Sequence, residues 1–412
     1  MPTFERRKTS QFQTFPPSRS FANGFRSPSD KCPKACEFVL MLKHAVRDAV
    51  KIDLSALRAI SSLPCVCGVA LTLALGLWLQ RPTFGMVAAF GAMSVGFGAY
   101  HILGSSRNLP LLWASLGMGF SAAVGSLIPH NALGLAINAI SVGAVYGLLT
   151  ALGPGVTWIA LQCGIAALVA TGYPTGVTNA LGRALLVTSG GLLQMGTVIL
   201  FRQLSFYFRP PVAYQDVFRG VRPAVETLRQ NIDWKAIPFR YALKLACTLG
   251  LAAALARVLG LPNGYWAPMT ALLVLRTNLR ETLSRGLARL IGTVLGAGLA
   301  TLLAATFRPD LTSLSVLVVI FAWLCYSVVT VNYGAFSICI TTYIAFLLAL
   351  AGLPEGQVAF YRVANTTLGG GLALLVALPA LLRYRRRAGP GSREFDAIDR
   401  CLGHRKAGQL QE

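Results

Sequence analysis

Acidic residues are scarce in this 412-residue sequence, which has 15 Asp and Glu against 37 Lys and Arg. None occurs from Leu54 to Leu204, and residues 239–384 contain only Glu281, Asp310 and Glu355. Charged residues make up 13% of the chain, whereas apolar residues make up 54%. So few charges exclude a water-soluble globule of this length and indicate an integral membrane protein.

Residue patterns that support catalysis or metal binding are also rare. Only four histidines are present, none beside an acid in a membrane-face motif, and no phosphate-binding loop of P-loop spacing occurs. We therefore expect no enzyme activity and no cofactor. Cys32 and Cys36 form a CPKAC pair, but the further Cys or His of a zinc site is missing, so we expect no bound metal.

Apolar runs of membrane-spanning length recur along the chain, and about 20 apolar residues cross the hydrocarbon core. We predict an all-α integral membrane protein with about twelve transmembrane helices. Basic clusters before the first run, in the middle and after the last indicate that both termini are cytoplasmic. The charge of +22 is thus explained by topology. We expect contacts with membrane lipids and none with nucleic acid, and we leave a homo-oligomer open.

The two halves of the sequence are similar. GRALLVTSGGLLQ around Arg183 and YRVANTTLGGGLALL around Arg362 place Thr and Gly-Gly at the same offsets from the arginine. This similarity predicts two parallel six-helix repeats related by an axis along the membrane normal. The predicted organisation is a disordered basic segment (1–40), a first repeat (41–200), a cytoplasmic linker (201–238), a second repeat (239–384) and a basic cytoplasmic tail (385–412). Met41 heads the first helical pattern and is an alternative start to Met1.

Several basic residues inside or at the edges of the spans have no acidic residue close in sequence, and three of them are candidates for a functional site. Arg183 and Arg362 occupy matching repeat positions near the outer face, and Lys244 lies toward the cytoplasmic end of its span. Arginine keeps its proton in proteins, and a charge inside a membrane normally faces the bundle interior or a wet cavity. We predict that these three side chains line a pathway for organic anions. Snorkelling to lipid headgroups is the alternative.

The apolar run from Trp266 to Leu275 rises only about 15 Å before several arginines follow. Such a short run predicts an interrupted helix lining a cytoplasmic vestibule. The candidate substrate-binding residues are Tyr265, Trp266, Arg276, Arg280 and Arg289, together with Asn365 and Thr367 beside Arg362. The alternatives are lipid-phosphate anchors for the arginines, an interfacial belt for the aromatic residues, and backbone hydrogen bonds for Asn365 and Thr367.

The segment YWAPMTALLVLRTNLRETLSRGLARLIGTVLGAGLA, residues 265–300, resembles the fusaric acid resistance protein-like family, the bacterial aromatic acid exporter group. The matching positions are Tyr265, Trp266, Pro268, Arg276, Arg280, Thr282, Arg285, Arg289 and Gly292. The resemblance implies an inner-membrane protein of two six-helix repeats that exports aromatic carboxylates with the proton-motive force, often beside a periplasmic adaptor protein. Two departures are the short linker and RPTFGM in place of YWAPM in the first half.

The sequence therefore predicts an exporter of organic anions, with aromatic carboxylic acids as the expected substrates. A passive anion channel is one alternative, because a basic pathway without a coupling acid is typical of a channel. A membrane assembly subunit that transports nothing is the other.

Overall fold

The computed structural model describes residues 43–49, 51–103, 106–204 and 221–387, and its regular structure over these ranges is helical. The predicted all-α fold is confirmed for them. The disorder predicted for residues 1–40, most of the basic tail and residues 205–220 of the linker lie outside the described residues.

The helices fall before and after a linker helix. The first group is α1 (Leu63–Trp78), α2 (Pro82–Gly96), α3 (Leu109–Ser126), α4 (Ala132–Leu149), α5 (Pro154–Ala170) and α6 (Val177–Leu204). After the linker helix α7 (Val221–Gln230) follow α8 (Ile237–Val258), α9 (Trp266–Val274), α10 (Leu279–Phe307), α11 (Leu311–Val328), α12 (Tyr333–Ala349) and α13 (Glu355–Arg387). Each group contains six of these helices, and the described ranges add a helical stretch at residues 43–49 and three short 3-10 turns before the linker.

Seven of the helices in the described ranges are long and apolar enough to cross a membrane: α2 with the turn that follows it, α3, α4, α6, α8, α10 and α11. Helices α1, α5 and α12 are apolar but shorter, and α9 is the shortest apolar helix of the second group. The chain thus contains several membrane-spanning helices, as its composition predicts.

Local sequence signals explain where these helices begin. Helices α1, α2, α3, α5 and α8 have proline at the first or second position, where its missing N–H is not needed. Other helices are capped by a side-chain oxygen that accepts a hydrogen bond from a first-turn N–H: Asn131 for α4, Asn278 for α10, Asp310 for α11 and Asn332 for α12. The apolar runs are therefore divided into helices at defined residues.

The packing follows one pattern in both groups. Helix α6 packs on α2 and α3, and α13 packs on α9 and α10; likewise α3 packs on α5, and α10 on α12. Across the groups, α4 runs along α8, and α11 packs on α1. The chain therefore folds as one bundle in which each group contacts the other through corresponding helices.

Two glycines mark the closest helix crossings of this pattern. A Cβ at Gly190 would collide with the carbonyl oxygen of Ala88, and a Cβ at Gly369 would collide with that of Ala267. Gly369 is 179 residues after Gly190, and Ala267 is 179 residues after Ala88. Glycine is needed here because the backbone of α6 touches α2, and that of α13 touches α9.

Candidate functional site

The short helix α9 lies in the interior of the bundle, with all but one of its nine residues buried. It rises only about 13 Å. The backbone becomes extended at Leu275, where ψ is 126°, and α10 begins at Leu279 after its Asn278 cap. The predicted interruption of the helix after Leu275 is therefore confirmed, and the side chains around α9 define the candidate site.

Arg362, on α13, is the most isolated charge near α9. Its side chain is 1% exposed, and none of its three guanidinium nitrogens hydrogen-bonds to any described residue. The guanidinium lies 5.1 Å from the ring centroid of Trp266, the first residue of α9. A cation–π contact of this kind offsets only part of the free-energy cost of removing a guanidinium from water.

A second buried arginine, Arg289 on α10, accompanies Arg362. Arg289 is 2% exposed, and its Nε has no hydrogen-bond partner among the described residues. The two arginines are close enough for their positive charges to repel each other. Since neither guanidinium can lose its proton, the pair is a site of concentrated positive charge that an anion would stabilise.

Uncharged polar atoms extend this site along the same helices. Thr270, Thr293 and Asn365 each bury a side-chain oxygen that finds no hydrogen-bond partner in the described ranges. Thr270 is one helical turn after Trp266, Thr293 is one turn after Arg289, and Asn365 is three residues after Arg362, so each shares a face with a residue of the charged site. These oxygens give the site donors and acceptors in addition to its charge.

An aromatic series continues from Trp266 toward one end of the bundle. Tyr265 packs its ring edge to face with Trp266, with 5.5 Å between centroids, and lies against the backbone of Gly172. The Tyr265 phenol interacts with that of Tyr173. Arg183 lies 5.4 Å above the Tyr173 ring. The two arginines at matching repeat positions, Arg183 and Arg362, thus lie at opposite ends of this aromatic series.

The surroundings of Arg183 differ from those of Arg362. Arg183 is half-buried and donates hydrogen bonds to Ser126 Oγ and to the carbonyl oxygen of Pro174, the latter at 2.9 Å. Its charge is therefore satisfied by neutral groups of the protein.

A second group of arginines and tyrosines lies at the opposite end of α9. Arg276 donates a hydrogen bond of 3.3 Å to the hydroxyl of Tyr146, and the Tyr241 hydroxyl donates one of 3.0 Å to the carbonyl oxygen of Leu275. The guanidinium of Arg285 lies 5.1 Å from the ring centroid of Tyr333. Arg285 is one helical turn before Arg289, so this group leads directly to the buried pair.

Arg280 lies apart from this group, on the surface. Its Nη2 forms an ion pair of 2.5 Å with Asp48 Oδ2, and the two side chains are 43% and 41% exposed. Asp48 comes from a segment 232 residues away, and Arg285 stacks on Tyr333, so the local sequence around these arginines does not indicate either contact. An ion pair so exposed contributes little to stability.

The buried arginines, Trp266 and Tyr265 all lie in one part of the chain that is similar to known proteins. Residues 251–376 match the fusaric acid resistance protein-like family. The resemblance predicted from the α9–α10 segment is confirmed for this part. The family match begins in the last third of α8, spans the whole of α9 to α12, and ends within α13.

Three related proteins match a similar share of the chain. ORF2 of Neisseria gonorrhoeae is 29% identical over 148 residues, 36% of this chain and 35% of that protein. The inner membrane protein YccS of Escherichia coli is 32% identical over 136 residues, 33% and 18% of the two chains. YhfK of Escherichia coli is 29% identical over 147 residues, 36% and 21%. The chain therefore spans about a third or less of the length of these relatives.

The predicted residue Lys244 lies outside the family match and is not brought to Arg362. Lys244 is exposed on α8 beside Leu243, whereas Ala242 and Ala246 of the same helix pack against glycines of α4. These small residues determine which face of α8 is buried. The charge of Lys244 alone therefore does not indicate whether its side chain faces the bundle. A role for Lys244 in the pathway stays a prediction.

Asn365 and Thr367, within the family match, make backbone hydrogen bonds. Asn365 Nδ2 donates to the carbonyl oxygens of Pro262 and Tyr361, at 3.0 and 2.8 Å, and Thr367 Oγ1 donates to that of Val363 at 2.9 Å. Thr367 is exposed. Only the Oδ1 of Asn365 remains buried and unpartnered, so Asn365 rather than Thr367 belongs to the site.

The sequence did not identify the tyrosines that surround the arginines. Tyr146, Tyr173, Tyr241 and Tyr333 come from four separate segments and stand near helix ends. In sequence such tyrosines look like members of an interfacial aromatic belt. Their contacts with Arg276, Arg183 and Arg285 depend on how distant helices pack, and no local pattern encodes that.

Proposed function

We propose that this protein is an inner-membrane transporter that exports organic anions, with aromatic carboxylates as its substrates. The observation that carries the proposal is the buried, unpartnered guanidinium of Arg362, stacked on Trp266 beside Arg289. In a part of the chain similar to a fusaric acid resistance family, such a site fits a substrate that brings its own negative charge.

The geometry favours a flat anion. A guanidinium is planar and offers parallel N–H groups that match the two oxygens of a carboxylate. Trp266 and Tyr265 beside it present aromatic surface on which a ring can stack. An aromatic carboxylate would therefore satisfy Arg362 and Arg289 with its charge and occupy the aromatic surface with its ring.

The route across the bundle follows what we name the cation–aromatic series: Arg276, Arg285, Arg289, Arg362, Trp266, Tyr265, Tyr173 and Arg183. Each member is in contact with the next, acts on it electrostatically, or is separated from it by one helical turn or one residue. An anion moving along the series would always have a cation or a π-face beside it, which lowers the cost of leaving water.

We also propose that the chain crosses the membrane twelve times as two parallel six-helix repeats. The corresponding packing partners of α6 and α13 support this arrangement, as does the shared 179-residue spacing of the glycine crossings. The short α9 then counts as an interrupted crossing, which is tolerated because it is buried in protein. An even number of crossings in each repeat keeps both repeats in the same orientation.

The basic clusters assign the sides of the membrane in this proposal. The positive-inside rule places the linker, with Arg222 and Arg229 on α7, in the cytoplasm. The Arg276 end of the series then faces the cytoplasm, and the Arg183 end faces outward. Export begins at Arg276 and ends between Arg362 and Arg183, which the parallel repeats place at one depth near the outer face, and a periplasmic adaptor protein that receives the substrate would meet that end.

Flux through liposomes tests the proposal. We expect the reconstituted full-length chain to carry radiolabelled benzenesulfonate, an aromatic anion that stays ionised and does not leak as a neutral acid. Arg362→Gln should lower this flux about tenfold, because it removes the charged hydrogen-bonding group. Arg257→Gln, which removes an exposed arginine from the same half, is the matched control and should leave the flux unchanged.

The same assay separates the alternatives. A benzenesulfonate flux that increases when a pH gradient is imposed supports an active exporter. A flux that is the same with and without the gradient indicates a passive anion channel. Flux no greater than that of protein-free liposomes, together with unchanged growth of a deletion strain on benzoate and 4-hydroxybenzoate, would support the assembly-subunit alternative and overturn the proposal.

A further inference from the structure

We propose that transport by this protein is an obligatory exchange of anions, in which an anion must occupy the Arg289–Arg362 pair each time the bundle changes the side to which it opens. This inference rests on the transport function proposed above. It adds that the empty site returns so slowly that flux in one direction requires an anion to travel in the other.

The empty site returns slowly because it contains two buried charges that cannot be neutralised by losing a proton. Arg362 is 1% exposed and Arg289 is 2% exposed, and their like charges repel each other. Arginine does not give up its proton in proteins, so protonation changes cannot neutralise the pair. An empty site passing through an occluded state would carry two uncompensated charges through a low-dielectric interior, which is strongly unfavourable.

Two acidic residues of α10 and α11 lie away from this pair. Glu281 is exposed and lies eight residues before Arg289 on α10, about 12 Å along the helix. Asp310 is exposed at the N-terminus of α11, where it caps the helix. The only described ion pair joins Arg280 to Asp48, away from the site. Glu355 begins α13 seven residues before Arg362, about 10 Å along the helix. Neither Glu281 nor Asp310 is therefore placed to neutralise an empty site.

Arg183 shows what a compensated arginine looks like in the same fold. Ser126, the Pro174 carbonyl oxygen and the Tyr173 ring all contact its guanidinium. Arg362, at the matching repeat position, keeps only the Trp266 ring. The two repeats therefore differ at this position: the first carries a charge that the protein satisfies, and the second carries one left for an external anion.

Counterflow in liposomes measures the requirement directly. Vesicles containing the full-length chain are loaded with unlabelled benzenesulfonate or with sucrose in a zwitterionic buffer, both free of chloride. Potassium on both sides with valinomycin clamps the membrane potential. We expect the initial uptake of labelled benzenesulfonate to be about tenfold faster into the anion-loaded vesicles, because the return step with an empty site is slow.

The outcomes distinguish the exchange from the transport function itself. Equal initial rates into both kinds of vesicle would overturn obligatory exchange and leave the transporter standing. Uptake no faster than into protein-free vesicles, with either loading, would overturn the proposed transport function and the exchange with it. These comparisons use only the unaltered chain, so they do not depend on how a variant folds.

A pair of variants tests whether Arg362 is the cause. Arg362→Gln removes one of the two buried charges, so the empty site returns more easily, and the ratio of the two uptake rates should fall toward one even if both rates are lower. Arg257→Gln should keep the ratio of the unaltered chain. An unchanged ratio in a folded Arg362→Gln protein would show that the buried pair does not impose the exchange.

Discussion

Arg276, Arg280 and Arg289 stand close together in sequence and have three different surroundings. Arg280 is partly exposed and forms an ion pair with Asp48. Arg276 is half-buried and hydrogen-bonded to Tyr146, and Arg289 is buried with an unpartnered Nε. Burial amplifies electrostatic interactions, because water no longer screens them. The three side chains should therefore contribute unequally to binding of an anion.

Lysine substitutions test whether the three arginines contribute unequally to anion binding. Lysine keeps the charge but loses the planar fork that holds a carboxylate in two places. We expect Arg289→Lys to raise the KM for benzenesulfonate about tenfold. Arg280→Lys should keep the KM of the unaltered chain, since an ammonium can still pair with Asp48 on the surface. If all three lysine variants keep the KM of the unaltered chain, the arginines have a topological role alone.

Sequence alone could identify Arg362 but not its difference from Arg183. Both residues lie in apolar spans without an acidic neighbour, which is a property of the sequence. What satisfies Arg183 is a hydroxyl from α3 and a carbonyl oxygen from the α5–α6 loop, brought together only by folding. The sequence thus gives the location of unusual charges, whereas tertiary packing decides which of them remain unsatisfied.

At the scale of the helices, close approach of backbones positions α9 against α13. Gly369 lets α13 contact the carbonyl oxygen of Ala267, one residue after Trp266, and Gly190 allows the equivalent contact between α6 and α2. This crossing holds Trp266 on α9 against Arg362, which lies two turns before Gly369 on α13. The glycines therefore act on the site through the spacing of the helices.

Alanine substitutions on α13 test this spacing. Gly369→Ala should destabilise the protein by about 1–3 kcal/mol, because its Cβ would meet backbone that cannot move aside cheaply. Gly371→Ala, on the same helix with open space around its Cβ, should be neutral or slightly stabilising through its helix propensity. Thermal unfolding in detergent, followed by size-exclusion chromatography, measures both. Equal melting temperatures for the two variants would show that the backbones of α9 and α13 are not in close contact at Gly369.

Helix existence could be predicted better than helix arrangement. Apolar runs, first-turn prolines and Asn or Asp caps mark most boundaries, and the short α9 follows from the arginine after Leu275. The orientation of each helix about its axis could not be predicted, because nearly uniform apolar helices carry little information about which side is buried. Lys244 illustrates this limit: the small residues of α8, rather than its charge, determine which face is buried.

At the scale of the whole molecule, the cation–aromatic series has a direction only if the sides of the membrane are known. The contacts already separate two ends of the bundle, one with Arg276, Tyr146 and Tyr333 and the other with Arg183 and Tyr173. In the proposed topology, the charge of the linker assigns the first end to the cytoplasm.

Cysteine labelling decides that assignment. In a variant whose nine native cysteines are replaced, we expect Gly356→Cys to react with a membrane-impermeant maleimide in spheroplasts, and Arg222→Cys to react only after permeabilisation. Both positions are exposed, and Gly356 has open space for a side chain, so neither substitution should disturb the fold. The unlabelled cysteine-free protein is the control, and the reverse labelling pattern would invert the proposed direction of transport. Because Gly356 is six residues before Arg362 on α13, labelling there would also place that guanidinium about 9 Å below the outer surface.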